Sequence, residues 1–200
     1  ENCCDENYLD TIGNVAMNTD AWTLRYPSGM IDYCNIGTKF PKLEIVNSSR
    51  VKEPFLAGLA MGLLLQIYET AGEGLFIPNI IWCAVSIKDK HRLDDTHTDF
   101  GADVGLIKIL GILNTNWKKE WGGGFIHDGV STYAKPTSFW IFDAAVPHSA
   151  DKILTNEKRL AIDFVVLKPP TDGDEETKTS TINKEHASDV SPQKLLKNEN

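Results

Sequence analysis

The segment DDTHTDFGADVG, residues 94–105, sets His97 and Asp99 two positions apart, just ahead of an apolar run. In a strand, residues i and i+2 point to one face. His97 and Asp99 would then stand side by side while Thr98 turns away. One imidazole and one carboxylate make two thirds of a common iron site, which a second histidine completes. The chain has five histidines: His91, His97, His127, His148 and His186. His186 falls in a polar C-terminal stretch, and His91 sits in the charged loop KDKHRLDD, which reads as solvated. His127 follows GGGFI and could line a cleft, although a surface position is the commoner outcome. His148 lies in SFWIFDAAVPHSADKI, where a strand, a turn and Pro147 deliver it toward a second strand. Eleven residues later Arg159 opens RLAIDFVVL. A lone arginine at a strand start is usually a surface residue; below an HxD it becomes informative.

The elements that must hold these residues fall into three stretches. Residues 1–77 are mixed, with a short helix expected over 8–17 and a turn at Pro27, Ser28 and Gly29. FLAGLAMGLLLQIY, residues 55–68, is the strongest helix signal. Pro54 suits its first turn, Leu56, Ala60, Leu63 and Ile67 recur at helical spacing, and Gly72 is placed to end it. At 14 residues with Gln66 inside, the run reads as a buried helix buttressing a sheet rather than a membrane span. From Pro78 the texture changes to strands: NIIWCAVSI, THTDF, GLIKILGIL, GFIHD, SFWIFD, VPHSA and RLAIDFVVL. Seven or eight short strands after N-terminal helices predict a mainly β sandwich or barrel with a helical flank. After Lys168 the composition turns polar, so residues 169–200 read as a flexible tail, with SPQKLLKN able to form one helical turn.

Composition narrows the function classes. Two hundred residues at 42% hydrophobic suit a single domain over 1–168 with a substantial core. The formal net charge of −8, with no basic stripe, disfavours a nucleic-acid partner. Cys3, Cys4, Cys34 and Cys83 form no paired CxxC knuckles, which points to reduced thiols in a cytoplasmic protein. No signal-peptide pattern is visible.

With HTD, a distal His148 and Arg159 heading a final strand, the sequence resembles the iron(II)/2-oxoglutarate-dependent oxygenases. LNTNWKKEWGGGF, residues 113–125, resembles the prolyl-4-hydroxylase-like branch, in which a strand ending in Leu-Asn runs through a Trp-containing turn into Gly-Gly and the next strand. PTSFWIFDAAVPHSA is similar to the family's strand, turn and distal histidine. The likeness covers about residues 78–167. HxD alone recurs by chance, whereas HxD, LN-x-x-W, GG, H and R in this order is specific.

The resemblance implies a double-stranded β-helix, a jelly-roll or cupin-like barrel with the metal at one open end. His97, Asp99 and His148 would be the Fe(II) ligands, leaving three positions for a chelating 2-oxo acid and O2. Arg159 would hold the far carboxylate of 2-oxoglutarate through its planar fork. Ala161 and Asp163 would share its side of the strand, with Leu160, Ile162 and Phe164 on the other. Ascorbate is a further cofactor candidate. Related halogenases lack the carboxylate, so Asp99 implies hydroxylation or a related oxidation, with a prolyl residue or a related aliphatic carbon in a peptide, protein or small molecule as the expected target.

Some features depart from the pattern. Ile112 stands where many relatives carry a tyrosine that bonds the cosubstrate. Lys108, on the same face, could assist but reads as an exposed strand-end lysine. Lys158 is the alternative anchor, since many prolyl hydroxylases use lysine there. Trp117 and Trp121 are expected to close the barrel mouth, Gly122, Gly123 and Gly124 to permit a turn or bulge, and Trp140 and Phe142 to be core. The competing readings are nucleic-acid demethylation on the same core, weakened by acidity, and a non-catalytic metal-binding barrel.

Overall fold

A computed structural model of the chain describes residues 3–25, 40–72, 74–92, 94–101 and 104–170. The expected turn at Pro27–Gly29 and the expected tail lie outside these residues or nearly so. The chain divides into two units, Glu1–Pro169 and Pro170–Asn200.

Ten strands and two α-helices make up the described part of the first unit. They are α1 (Glu6–Met17), β1 (Thr23–Arg25), β2 (Phe40–Asn47), β3 (Arg50–Val51), α2 (Pro54–Ala71) and β4 (Ile77–Lys88). Then come β5 (Leu106–Ile112), β6 (Phe125–His127), β7 (Val130–Thr132), β8 (Phe139–Asp143), β9 (His148–Ala150) and β10 (Arg159–Leu167). The large sheet runs β1-β2-β4-β10-β5-β8, with β3 paired to β2, and the small sheet runs β7-β6-β9. Every pairing is antiparallel. This two-sheet, mostly β architecture with two helices is the expected double-stranded β-helix.

The N-terminal third contributes more strand than its sequence suggested. β2 lengthens the large sheet by pairing with β4, Lys42 opposite Ser86 and Leu43 opposite Val85. KLEIVN alternates polar and apolar, so one face of β2 joins the core through Leu43 and Ile45 and the other carries Lys42 and Glu44. THTDF, expected as a strand, supplies only a single bridge at His97.

α1 starts at Glu6, two residues earlier than expected, because Asp5 caps it by accepting from the Tyr8 N–H at 3.0 Å. α2 begins with Pro54 and ends at Gly72, whose φ of 93° few other residues adopt. At 18 residues it is longer than the apolar run and, by length and composition alone, could cross a membrane. In this fold its stripe of Leu56, Ala60, Leu63, Leu64 and Ile67 is buried with α1 and the back of the large sheet.

β10 lies at the centre, hydrogen-bonded to β4 and β5 along most of its length. Leu160, Ile162, Phe164 and Val166 join the helix-covered core. The alternate residues face into the barrel, and Asp163 and Val165 line its main cavity. A second apolar cluster of Ile112, Trp117, Ala134 and Ile153, with Trp121 and Tyr133 against it, plugs one end. Trp117 is buried there, its indole N–H donating to the Gly122 carbonyl at 3.0 Å, so it closes the barrel as expected.

Candidate metal centre and its cavity

The residues singled out in the sequence come together at the barrel mouth. His97 and His148 exchange backbone hydrogen bonds, each N–H donating to the other's carbonyl at 2.9 Å. Directly opposed residues of an antiparallel pair project to the same face, and the two rings lie 4.7 Å apart, centroid to centroid. One donor atom from each of His97, Asp99 and His148 lies within 4.8 Å of the others. The carboxylate Oδ2 of Asp99 is 3.4 Å from Nε2 of His148. The strand argument for His97 and Asp99 therefore gives the right face, although regular pairing covers only His97.

The ring orientations follow from a repeated local contact. Nδ1 of His97 lies 2.8 Å from the Asp95 carbonyl, and Nδ1 of His148 lies 2.9 Å from the Val146 carbonyl. A carbonyl only accepts, so each Nδ1 carries the proton and each Nε2 keeps a lone pair. That is the arrangement in which a histidine ligand is oriented by its other nitrogen. Phe125 stacks on the His148 ring at 5.6 Å, and Phe142 meets it edge-on at 4.9 Å. Burial lowers the His148 pKa below its ordinary value and favours the neutral, ligating form. Burial raises the pKa of Asp99, but the Lys108 ammonium outweighs it and holds the carboxyl below the ordinary range. Metal bonds of about 2.0–2.2 Å to nitrogen and oxygen set neighbouring ligands roughly 3 Å apart. Two lone pairs and one carboxylate at these separations fit a divalent ion after small inward movements.

Lys108 corrects the sequence reading. It is buried, 7% exposed, and its Nζ lies 2.7 Å from Asp99 Oδ2 and 4.0 Å from Asp163 Oδ1. Burial lowers its pKa, yet Asp163 and Asp99 outweigh that and raise it, so it stays charged. A lysine inside an otherwise apolar strand was the available signal: on LIKILGI it can only face a polar interior or break the core.

Arg159 is buried on the inward face of β10, and its neighbour Lys158 is exposed. Pairing of Arg159 with Lys88 in the ladder with β4 sets this register, and Asn114 braces it. Its Oδ1 accepts from the Leu160 N–H at 2.7 Å, and its Nδ2 donates to the Lys158 carbonyl at 3.1 Å. The guanidinium Nη1 donates to the Gly123 carbonyl, while the buried Nε has no hydrogen-bond partner among the described residues. Burial pulls the Arg159 pKa down to about 10, leaving the group charged at neutral pH. Gly123 must be glycine here: its φ is 71°, and a Cβ would stand 3.2 Å from the Arg159 guanidinium.

The triad opens on a cavity of about 360 Å³ whose walls include Lys42, Trp82, Ser86, Lys88 and Asp163. Arg159 lines a separate space of only about 10 Å³ with Ile112, Phe125, Trp140 and Ala161. The two share Leu110 and Ala150 as walls, so they adjoin. Trp140 and Phe142 are half-buried linings of the barrel interior rather than helix-side core. His91 and His127 are exposed and stay out of the cluster, and His186 lies outside the described residues. Asp94, which sequence reasoning passed over, anchors the loop before His97 by pairing with Arg92 and, at 3.1 Å, with Lys88.

No protein-family model matches the chain, and no curated protein matches it. Solved structures do. A Pseudomonas putida prolyl-4-hydroxylase aligns at a TM-score of 0.56 and 16% identity, over 84% of this chain and 90% of that one. A 2OG-Fe(II) oxygenase family oxidoreductase from Burkholderia pseudomallei gives 0.60 and 13%, over 82% and 81%. HygX from Streptomyces hygroscopicus, solved with nickel and 2-oxoglutarate, gives 0.56 and 9%, over 84% and 80%. With a His-Asp-His cluster at the mouth of its barrel, the chain has the double-stranded β-helix fold of the Fe(II)/2-oxoglutarate oxygenases, prolyl-4-hydroxylases among them.

Proposed function

We propose that this chain is an Fe(II)- and 2-oxoglutarate-dependent dioxygenase that hydroxylates an aliphatic carbon, of a prolyl residue or a related substrate. The observation that carries the reading is the pair of histidines whose Nδ1 atoms both rest on backbone carbonyls, leaving two Nε2 lone pairs beside the Asp99 carboxylate. This is the donor set of a two-histidine, one-carboxylate iron site with open positions. When bound, Fe(II) supplies the activation of O2, and the balanced outcome is R–H + 2-oxoglutarate + O2 → R–OH + succinate + CO2.

This chain's own residues bind, orient and exclude water. His97, Asp99 and His148 would hold the ion, and Lys108 steadies Asp99 through Oδ2, the oxygen that also faces His148. Arg159 would take the distal carboxylate of 2-oxoglutarate, a role its partnerless Nε and its fork geometry support. A space of about 10 Å³ holds roughly one water. A carboxylate reaching Arg159 must therefore displace side chains that line this space, and the half-buried Trp140 is the largest of them. Phe125, Phe142 and the Trp117 plug keep that end dry, which strengthens charge recognition inside it. Ascorbate as an accessory, residues 1–168 as the catalytic domain and a cytoplasmic location belong to the same proposal. Cys83, held as a thiol in the core, supports the last of these.

The test is 2-oxoglutarate-dependent succinate release by the Fe(II)-loaded protein, with proline peptides scanned by mass spectrometry for one added oxygen. Failure to bind Fe(II) or to release succinate under any of these conditions sinks the reading.

A further inference from the structure

The charges on the wall of the large cavity are matched. Lys42 and Lys108 face the carboxylates of Asp99 and Asp163, and Lys88 pairs with Asp94. What stands unmatched on that wall is a neutral group. Ser86 lines the cavity and is 2% exposed, yet its hydroxyl has no hydrogen-bond partner among the described residues. A buried hydroxyl without a partner is costly and rare in a folded chain. At a cavity wall its partner is whatever occupies the cavity, a ligand or a water.

The ladder between β4 and β10 points to which. Ser86 stands opposite Ala161, and Lys88 stands opposite Arg159. Opposed residues share a face, so Ser86 and Arg159 are diagonal neighbours on the inward side, roughly 7–8 Å apart along the backbone. Ala161 borders the small space beside Arg159, whereas Ser86 borders the large cavity beside the His-Asp-His cluster. The boundary between the two spaces therefore runs between these two opposed residues. Ala161 has nothing beyond Cβ to block it. Ile112, opposite Ala161 on the other flank, is apolar and offers no hydrogen bond. A molecule that reaches from the cluster to the guanidinium crosses this boundary beside the Ser86 hydroxyl. Depth argues for the same occupant. Phe100, 37% exposed, stands at the rim of the cavity, where a substrate entering from outside is met first, and Ser86 lies at its floor.

We propose that the Ser86 hydroxyl donates to the distal carboxylate of 2-oxoglutarate, sharing it with Arg159, and so selects a dicarboxylate cosubstrate over a 2-oxo acid that lacks this group. The inference rests on the oxygenase reading and adds to it a binding residue from β4. A carboxylate only accepts, which leaves the hydroxyl proton to Ser86 as donor. Hydrogen bonds to charged groups are the stronger kind, and losing this one should weaken binding about tenfold or more. Nothing in the ligand-free protein uses the hydroxyl, so its removal should leave the fold as stable as before or more so.

The experiment compares the full chain with its Ser86→Ala variant, each loaded with nickel(II), by calorimetric titration. One probe is 2-oxoglutarate. The other is 2-oxopentanoate, which keeps the 2-oxo acid end and lacks the distal carboxylate, titrated directly or in competition with 2-oxoglutarate. Ser86→Ala should weaken 2-oxoglutarate about tenfold and leave 2-oxopentanoate within about twofold. The melting temperature of the ligand-free variant should equal or exceed that of the wild type. Unchanged 2-oxoglutarate affinity would show that the hydroxyl serves a water only. An equal loss for both acids would show that it acts at the chelating end or through the fold. Either result overturns the inference while the oxygenase reading stands. Wild-type protein that takes up no nickel, or binds no 2-oxoglutarate once loaded, sinks the oxygenase reading and this inference with it.

Discussion

The two faces of β10 are built from one nearly continuous apolar run, and they serve opposite purposes. Leu160, Ile162, Phe164 and Val166 point toward α1 and α2 and are packed among apolar neighbours. Arg159, Ala161, Asp163 and Val165 point into the barrel, where they meet a guanidinium pocket, the charged cavity and the metal centre. β5 repeats the division, with Ile107 and Ile109 in the core and Lys108, Leu110 and Ile112 facing inward. One face provides stability by excluding water. The other holds buried charges that only partners or ligands can balance, so its substitutions should register in binding before they register in folding.

The largest expected effect is at the centre itself. His148→Ala removes one of three ligands, and metal stoichiometry measured on the purified protein should fall from one per chain toward zero. The protein should stay folded. A variant that keeps its metal would show that the His-Asp-His cluster is not the binding site.

Phe164→Ala tests the opposite face. A fully buried phenylalanine replaced by alanine costs about 3–5 kcal/mol through lost burial and the cavity left behind. The midpoint in denaturant should drop accordingly, while metal stoichiometry under native conditions holds at the wild-type level. If Phe164→Ala abolished metal binding while sparing stability, the division between faces would be wrong.

Arg159→Ala should weaken 2-oxoglutarate binding by roughly two orders of magnitude, at about 1.4 kcal/mol per tenfold, with metal affinity nearly unchanged. Lys158→Ala, at an exposed position on the other side of the register, should be near-neutral. If Lys158→Ala were the crippled variant instead, the guanidinium would be a structural tie to Gly123 and nothing more.

The sequence carried the site better than it carried the site's surroundings. HxD, a distal histidine and a strand-leading arginine are side chains with few alternative uses, and their spacing survives in one dimension. The shared face of His97 and Asp99 is also foreseeable, because a strand face has only two options, whereas the exchange that sets His148 opposite His97 joins distant segments and is not written locally. A place near a strand end suggests an exposed Lys108, but the apolar residues on both sides of it carry the stronger signal, and the side chain is buried. β2 was missed because KLEIVN is short and half polar; its strand character comes from pairing with β4, a contact forty residues away that no local pattern encodes. The charged cavity wall arises from β2, β4, β5 and β10 together, so no single segment announces it.

The smallest effect, and the one that links the two faces, belongs to Asn114. The regular pairing of β5 with β10 ends at Ile112 opposite Ala161, and the Leu113 N–H donates to the Leu160 carbonyl at 2.9 Å just beyond it. The Asn114 side chain then takes over, accepting from Leu160 and donating to Lys158, the residues on either side of Arg159. It therefore braces, on the β5 side, the register in which 159 rather than 158 turns inward. Asn114→Ala removes one part-buried and one exposed hydrogen bond and should cost about 1–2 kcal/mol of stability. Because the start of β10 would also loosen, 2-oxoglutarate binding should weaken by a smaller factor than in Arg159→Ala, on the order of tenfold, since a misplaced fork keeps its charge but loses alignment. Asn114→Asp keeps the acceptor for the Leu160 N–H but turns a carboxylate oxygen toward the Lys158 carbonyl in place of a donor, so it should recover the cosubstrate affinity only in part. If both variants lose stability while binding 2-oxoglutarate like the wild type, Asn114 only ties two strands together, and the register of Arg159 is held by the β10 ladder alone.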